Sequence, residues 1–235
     1  MNGIILISVV FMGISWIVSN RLKSKFKKYS KIGLHNGLSG AEIAHKMLSD
    51  NGIHDVKITQ VNGQLTDHYN PQNKTVNLST DVYHGRSAAA AAVASHEVGH
   101  AVQHATAYAA LRMRSAMVPA VSFASRMMGM MNMFLFMGGF YMISQGSAIG
   151  NMLLIALIVA NVAITAFSLI TLPVEFDASN RALKWMEARN VVSQQEHGMA
   201  KDALKWAAMT YVVGALAAVA NLAYYLMIFL GRGDD

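Results

Sequence analysis

Residues 96–100 read HEVGH and place two histidines four positions apart, with Glu97 beside the first of them. Residues four apart on an α-helix lie on one face, one turn apart, so both imidazoles can bind a single zinc ion. Glu97 lies next to that face, where its carboxylate can take a proton from a water activated by the metal. Because zinc lowers the pKa of such a water towards about 7, the pattern predicts hydrolysis of a peptide bond.

The surroundings of this motif strengthen the metal interpretation. The helix is otherwise almost entirely alanine and valine, and a buried Glu97 is costly there without a partner, which a metal site provides. His104 lies four residues after His100, but Ala101 occupies the position of the base, so only the first histidine pair is complete. We interpret His104 as a structural residue at the helix end. The alternative for the whole motif is a buried polar cluster, which leaves the glutamate unexplained.

A catalytic zinc site needs a third protein ligand and an open position for water. Because the chain has no cysteine, this ligand must be a histidine or a carboxylate. We expect Glu175 to be this third ligand. It is the first charged residue after forty-eight uncharged ones, and a lone carboxylate at the end of an apolar segment is costly without a cation. The alternative is an interfacial charge paired with Arg181 or Lys184. Three other residues are rival ligands: Asp177, about 200° away around a helix, and, more remotely, Glu196 and His197.

The composition indicates a membrane protein. Hydrophobic residues make up 54% of the 235 residues and charged residues only 14%, which is too apolar for a typical soluble domain. The net charge is +6, but six of the nineteen basic residues lie in residues 21–31, directly after the apolar stretch 3–18. Basic residues at that place favour the cytoplasmic end of a retained membrane anchor over a nucleic-acid surface or a cleavable signal peptide.

The hydropathy pattern predicts a mainly α-helical, integral membrane protein with about four spans. We place the spans near residues 3–18, 118–143, 149–171 and 208–230, with a turn at 144–151. The bias of Lys and Arg puts both termini outside and the intervening polar parts in the cytoplasm. Five segments result: an N-terminal anchor at 1–20, a catalytic part at 21–117, a membrane hairpin at 118–171, cytoplasmic helices with the third ligand at 172–207, and a last span with a short tail at 208–235.

The polar part after the first anchor predicts a small α+β fold. Ser39 and Glu42 form a capping box that starts a helix at about residues 40–50, and residues 55–61 alternate as a strand. Residues 65–70 and 74–80 alternate around a turn and predict a β-hairpin. Ser87 is placed to cap the alanine-rich helix, and residues 193–196 repeat the S-x-x-E pattern of a helix start.

Three motifs together resemble a known family. SHEVGHAVQH, followed by LRMRSAMVP and LPVEFDAS, is similar to the YugP-like neutral zinc metallopeptidases of bacterial membranes, and the likeness covers nearly the whole chain. It implies a multi-pass zinc peptidase of the bacterial plasma membrane, with a zincin-like catalytic part and one zinc ion. It also implies that His96 and His100 are ligands and that Glu97 is catalytic. By analogy with gluzincins, Glu175 is the third ligand.

The resemblance is incomplete at one position. In related membrane proteases an aspartate follows the ligand glutamate by four residues, and here that position is Ser179. The residue that orients a zinc-bound histidine is therefore one of three alternatives, Ser179, Asp177 or Asn180. Peptidases of this kind align substrate as an added β-strand, and the hairpin at 65–80 offers such an edge or simply covers the helix. Candidates to stabilise the transition state are His68, Tyr69, Tyr83, His84 and Arg181.

The sequence thus predicts a membrane-embedded zinc endopeptidase with its site at the cytoplasmic face. The expected partners are a peptide or protein substrate, with membrane proteins included, and the lipid bilayer, but not nucleic acid. The alternative is a non-catalytic membrane scaffold stabilised by zinc, which a closed fourth protein ligand would indicate. A metal transporter would carry ionisable residues within its spans, and residues 127–174 contain none.

Overall fold

The computed structural model describes the chain from residue 2 to residue 231 and is mainly helical, with one small sheet. The elements in chain order are α1 (Asn2–Tyr29), α2 (Gly40–Asp50), β1 (Lys57–Val61), β2 (His68–Asn70), β3 (Thr75–Ser79), α3 (Thr80–Tyr83), α4 (Ala88–Ala105), α5 (Ala109–Phe134), a π-helical turn (Leu135–Gly139), α6 (Phe140–Ser144), α7 (Ala148–Ala188) and α8 (Gln194–Leu230).

These elements divide between two compact units. The mixed unit contains Ile17–Arg112 and Leu172–Thr210, and the apolar unit contains the described parts of Met1–Trp16, Met113–Thr171 and Tyr211–Asp235. All three strands and the HEVGH motif belong to the mixed unit.

The sheet of the mixed unit has the strand order β1-β3-β2. β1 runs parallel to β3, and β2 runs antiparallel to β3 with Tyr69 opposite Val76. The predicted strand and the predicted hairpin are therefore confirmed. Val76 and Leu78 of the central strand are fully buried. β2 lies at one end of the strand order and is therefore an edge strand.

Helix starts in the mixed unit follow the capping chemistry of the sequence. The Ser39 side chain accepts a hydrogen bond from the backbone of Glu42, whose carboxylate accepts one from the backbone of Ser39, as the capping box predicts. Ser87 Oγ accepts from Ala90 N at the start of α4. Ser193 and Glu196 pair in the same reciprocal way before α8. All three predicted helix starts are confirmed.

The alanine-rich half of α4 lies inside the core of the mixed unit. Residues 88–92 are at most 1% exposed, and the core around α4 includes Ile43, Met47, Leu78 and Met186. Short side chains let the neighbouring helices and the sheet approach α4 closely on several sides. Close packing of this kind holds the second half of the helix, with its ionisable residues, in a fixed place.

The apolar unit contains part of each helix that could span a membrane. Within residues 2–231, three helices are long and apolar enough to cross a bilayer, namely Gly3–Tyr29, Ala148–Ala188 and Gln194–Leu230. Many of their large apolar side chains face outward, including Leu6, Met12, Met152 and Leu230. A surface of this kind is typical of contact with lipid.

The helix predicted near residues 118–143 has different bounds in the structure and is interrupted. α5 begins earlier, at Ala109, and thereby includes Arg112, Arg114 and Arg126. It ends at Phe134, and Gly138 in the following turn has a φ of 111°, which glycine adopts readily and which interrupts a right-handed helix. Hydropathy alone did not reveal this break. A fourth crossing of the membrane in this region stays a prediction.

Candidate metal centre

His96 and His100 of α4 and Glu175 of α7 converge in the mixed unit. Each offers one ligand atom, and these atoms all lie within 4.8 Å of one another. Glu175 Oε2 lies 3.3 Å from His96 Nε2 and 3.6 Å from His100 Nε2. In the part of the chain that the structure describes, this is the one group of three or more such residues. The rival ligands Asp177, Glu196 and His197 are not in it.

The three side chains lie in a largely enclosed site. The exposed fractions of the side chains are 13% for His96, 9% for His100 and 3% for Glu175. Burial would lower the pKa of His100, but its hydrogen bond to Glu175 and the charge of Glu97 together raise it above the ordinary histidine value. The groups that favour a proton on His100 also favour a metal cation, so the electrostatics of the site suit a positive ion.

Each histidine is oriented through the ring nitrogen that faces away from Glu175. His96 Nδ1 lies 3.0 Å from Ser179 Oγ, and His100 Nδ1 lies 3.0 Å from Gln103 Oε1. Because an amide oxygen only accepts, His100 Nδ1 carries a hydrogen. In the neutral ring Nε2 then has the lone pair that a metal needs, and in the protonated ring Nε2 donates to Glu175 instead. Of the three alternatives in the sequence, the structure brings Ser179 to His96, whereas Asp177 and Asn180 do not fill this position.

Gln103 is a functional candidate that the sequence reasoning missed. It is fully buried, and its Nε2 donates to the backbone oxygen of Val174 and to Asp177 Oδ2, both at 2.8 Å. Because these two partners are acceptors, the orientation of the amide is fixed. One side chain thus connects His100 on α4 to the residue that precedes Glu175 on α7. The sequence signal that could have identified Gln103 is its position as a polar residue three places after His100, on the same helix face.

Asp177 belongs to the same network. Besides accepting from Gln103, its Oδ2 accepts from Arg181 Nε at 2.6 Å, and the guanidinium of Arg181 lies 5.8 Å from the centre of the Tyr108 ring. Asp177 therefore supports the amide that orients His100. It bonds Gln103, which in turn bonds His100, and it is not a member of the three-residue group.

The carboxylate of Glu97 is held by the edge strand. Its Oε2 accepts a hydrogen bond of 3.0 Å from the backbone N–H of Tyr69 on β2, and the residue is only 8% exposed. Glu97 thus lies beside the first histidine, as the spacing predicts. The hairpin places its backbone directly against the proposed catalytic group.

His104 pairs with Tyr69 in the structure. The two side chains approach to 2.7 Å between Tyr69 Oη and His104 Nδ1. Burial, with a smaller contribution from the charge of Asp55, raises the pKa of Tyr69 to about 12. The hydroxyl therefore keeps its proton at neutral pH and forms a hydrogen bond with His104. This contact agrees with the structural interpretation of His104.

The other predicted contacts have described partners elsewhere. His84 Nε2 lies 3.1 Å from Gln60 Oε1, and the ring of Tyr83 packs edge-on against His84. His68 Nδ1 lies 2.8 Å from a backbone oxygen of the same loop. Glu196 accepts from His35 through both of its oxygens. A role of Tyr83, His84, His68 or Arg181 in the transition state stays a prediction.

Gly99 sets the distance between α4 and α7. A Cβ atom at this position would lie 2.6 Å from the backbone oxygen of Ala178. Only a glycine therefore allows the two helix backbones to approach this closely. The contact lies among the residues that must face each other, because Gly99 precedes His100 and Ala178 precedes Ser179.

Comparison with known proteins found one family model and one relative that match nearly the whole chain. The family model described as "Putative neutral zinc metallopeptidase" matches residues 4–230. The "Putative membrane protease YugP" of Bacillus subtilis (strain 168) is 41% identical over 232 residues, which cover 98% of each chain. No solved structure matches this chain.

Proposed function

The chain belongs to the neutral zinc metallopeptidase family, and we propose that it is a membrane-embedded zinc endopeptidase. The observation that carries the proposal is the convergence of His96, His100 and Glu175, with Glu97 beside them. Two imidazoles and one carboxylate are the ligand set of a catalytic, gluzincin-type zinc site. Family membership and ligand geometry both support this chemistry.

The donor set fits one zinc ion. His96 and His100 would hold it through Nε2, since Nδ1 of each ring is engaged by Ser179 or Gln103, and Glu175 would hold it through its carboxylate. Orienting hydrogen bonds of this kind are typical of histidines that bind metals. When bound, zinc supplies a Lewis acid and lowers the pKa of water at the site.

In the proposed mechanism Glu97 moves the protons. Its carboxylate takes a proton from the attacking water and then delivers it to the amine that leaves the cleaved peptide bond. The backbone N–H of Tyr69 holds Oε2, so the side chain has one oxygen fixed while the other transfers the proton. Burial of Glu97 and its neighbours limits access of bulk water to the reaction.

We place the site at the cytoplasmic face of the membrane. The proposal rests on the basic residues that follow the first apolar stretch, and on the three candidate spans. With a fourth crossing contributed by the region at 118–143, both termini lie outside. The mixed unit then forms the zincin-like catalytic part.

The second candidate function is a zinc-stabilised scaffold without activity. A structural zinc site is usually closed by four protein ligands. In the described residues the group at this site contains three, which favours an open position for water and hence an enzyme.

The test compares the wild type with Glu97→Gln in detergent. We expect the variant to keep stoichiometric zinc and to lose cleavage of casein by about 100-fold or more, because general-base catalysis contributes on the order of 10² to 10⁴. Glu187→Gln is the matched control, since Glu187 is an exposed glutamate on α7. Full cleavage by zinc-loaded Glu97→Gln would show that the base is misassigned. A zinc-loaded wild type that cleaves no protein or membrane peptide, yet loses thermal stability on chelation, would support the scaffold instead.

A further inference from the structure

A cavity of about 120 Å³ lies next to the candidate site in the mixed unit, where β2 meets the end of α4. Tyr69 and His104 are among the residues that line it. The backbone of Tyr69 bonds Glu97, and His104 lies one helical turn, about 6 Å along the axis, beyond His100. The cavity is therefore adjacent to the proposed catalytic residues, but it contains none of them.

We propose that this cavity accepts one aliphatic side chain of the substrate, from the residue that lies opposite Tyr69. The proposal rests on the function proposed above and adds a substrate class to it. The substrate is an extended peptide with a residue of about the size of leucine, isoleucine or methionine next to the cleaved bond.

Backbone groups point alternately to the two edges of a β-strand, and this alternation determines how a bound peptide would align with β2. One edge of β2 pairs with β3, and the N–H of Tyr69 points the other way, towards Glu97. The carbonyl of Tyr69 points to the same free edge, because N–H and C=O of one residue share an edge in an antiparallel strand. This carbonyl is therefore available to accept from an N–H of a peptide beside Glu97. Pro71, which directly follows β2, has no N–H to donate.

The same alternation decides where the substrate side chain lies. Residues directly opposite each other on neighbouring strands place their side chains on the same face of the sheet. The Tyr69 side chain forms part of the cavity wall. A peptide residue opposite Tyr69 therefore directs its side chain to the face on which the cavity opens.

The apolar part of the lining favours a hydrocarbon side chain. Ile53, Val56, Ala101 and Ala105 contribute to the wall. The volume is smaller than the cavity of about 150 Å³ that holds a benzene molecule in a well-characterised apolar case. An aliphatic side chain of about four heavy atoms therefore fits better than a phenyl ring or an indole.

The polar part of the lining is paired within itself. Lys74 Nζ and Asp55 Oδ2 are 2.5 Å apart, and the Tyr69 hydroxyl bonds His104. A charged substrate side chain would have to compete with these pairs, and would lose its own hydration on entry. Because Asp55 and Lys74 already pair with each other, the lining favours a neutral side chain, and its volume favours one smaller than a large ring.

The test maps cleavage sites of a peptide library by mass spectrometry for the zinc-loaded wild type and for Ala105→Phe. Ala105 is exposed at the last position of α4, so the substitution fills the cavity without entering the core. Ala109→Phe is the matched control, because Ala109 is also exposed but is not among the lining residues. Zinc content and thermal unfolding are measured for each variant, and Ala105→Leu replaces Ala105→Phe should the latter lose zinc.

We expect the wild type and Ala109→Phe to prefer an aliphatic residue at one position beside the cleaved bond. In Ala105→Phe, kcat/KM for a leucine peptide should fall by about 10- to 100-fold relative to its glycine counterpart, the range set by a hydrophobic pocket. An unchanged cleavage profile in the filled variants, or no aliphatic preference in the wild type, would overturn the inference while leaving the peptidase intact. A zinc-loaded wild type that cleaves no peptide would overturn the proposed function and this inference with it.

Discussion

Replacement of Gly99 by alanine tests whether the contact between α4 and α7 sets the geometry of the metal centre. The added Cβ would lie 2.6 Å from the backbone oxygen of Ala178 and 3.1 Å from its Cα and carbonyl carbon. All three atoms are backbone, so no side chain can rotate away. The helices themselves have to separate.

The size of the separation follows from these distances. The closest contact is about 0.8 Å short of the 3.4 Å at which ordinary van der Waals contact begins. His96 and His100 move with α4 and Glu175 with α7, whereas zinc–ligand distances hold to within about 0.2 Å. A shift several times larger than this tolerance should lower zinc affinity by about 10- to 100-fold, as loss of an orienting partner does.

The folding stability of Gly99→Ala should change much less than its zinc affinity. Overpacking costs about 1–3 kcal/mol, and replacing a helical glycine by alanine returns about 1 kcal/mol. The apo protein should therefore unfold at a temperature only a few degrees below the wild type. Zinc affinity is measured by competition with a chromophoric chelator, and stability by thermal unfolding of the metal-free protein in detergent.

Gly198→Ala is the control for glycine replacement in a helix. Gly198 lies in α8, and a Cβ there would meet no atom within 4 Å. It should gain up to about 1 kcal/mol in stability and bind zinc as the wild type does. If Gly99→Ala also keeps wild-type zinc affinity and activity, the helix contact does not set the ligand geometry, and the reasoning is wrong.

Three further predictions follow from the same site. Gln103→Leu removes the partner of His100 and both links to α7, so zinc affinity measured by chelator competition should fall about 10- to 100-fold. The loss should be larger than in Ser179→Ala, which removes one hydrogen bond. Equal losses of zinc affinity in the two variants would contradict the linking role of Gln103. Removal of metal with EDTA should lower the unfolding temperature, and added zinc should restore it. Zinc at 100 times its Kd should stabilise the folded state by about 2.7 kcal/mol. An unfolding temperature that does not change would exclude a bound metal in the native fold. The pKa of Tyr69 is raised to about 12, so the folded protein holds the phenol proton more tightly than the unfolded chain does. The folding stability should therefore fall as the pH rises from about 10 to about 12. The unfolding temperatures at pH 9 and pH 11 should differ less in Tyr69→Phe than in the wild type.

Much of the local structure was predictable because its causes lie within a few residues. The capping pairs at Ser39 and Ser193 and the cap at Ser87 depend on side chains three positions from the atoms they bond. The strand and the hairpin follow from alternation and turn residues. The break at Gly138 was missed because hydropathy reports lipid compatibility and carries no information about a positive φ.

The residues that complete the site depend on contacts between distant parts of the chain. Gln103 bonds a carbonyl 71 residues away, and Tyr69 donates to Glu97 across 28 residues. Ser179 and Asp177 are both close to Glu175 in sequence, and only the packing of α7 on α4 decides that Ser179 faces His96. Patterns within one helix do not contain this choice.

The sequence by itself identified the candidate metal ligands and the candidate base: a histidine pair with a glutamate on one helix, and a remote carboxylate after an apolar segment. It also determined that the chain is rich in apolar residues. These follow from side-chain type and helical spacing, which are properties of single segments. Tertiary structure alone decided which polar groups orient the histidines, which backbone N–H bonds Glu97, and that a cavity lies beside Tyr69. Those relations arise when separate helices and strands pack against each other, because hydrogen bonds and close contacts are determined by distances in space.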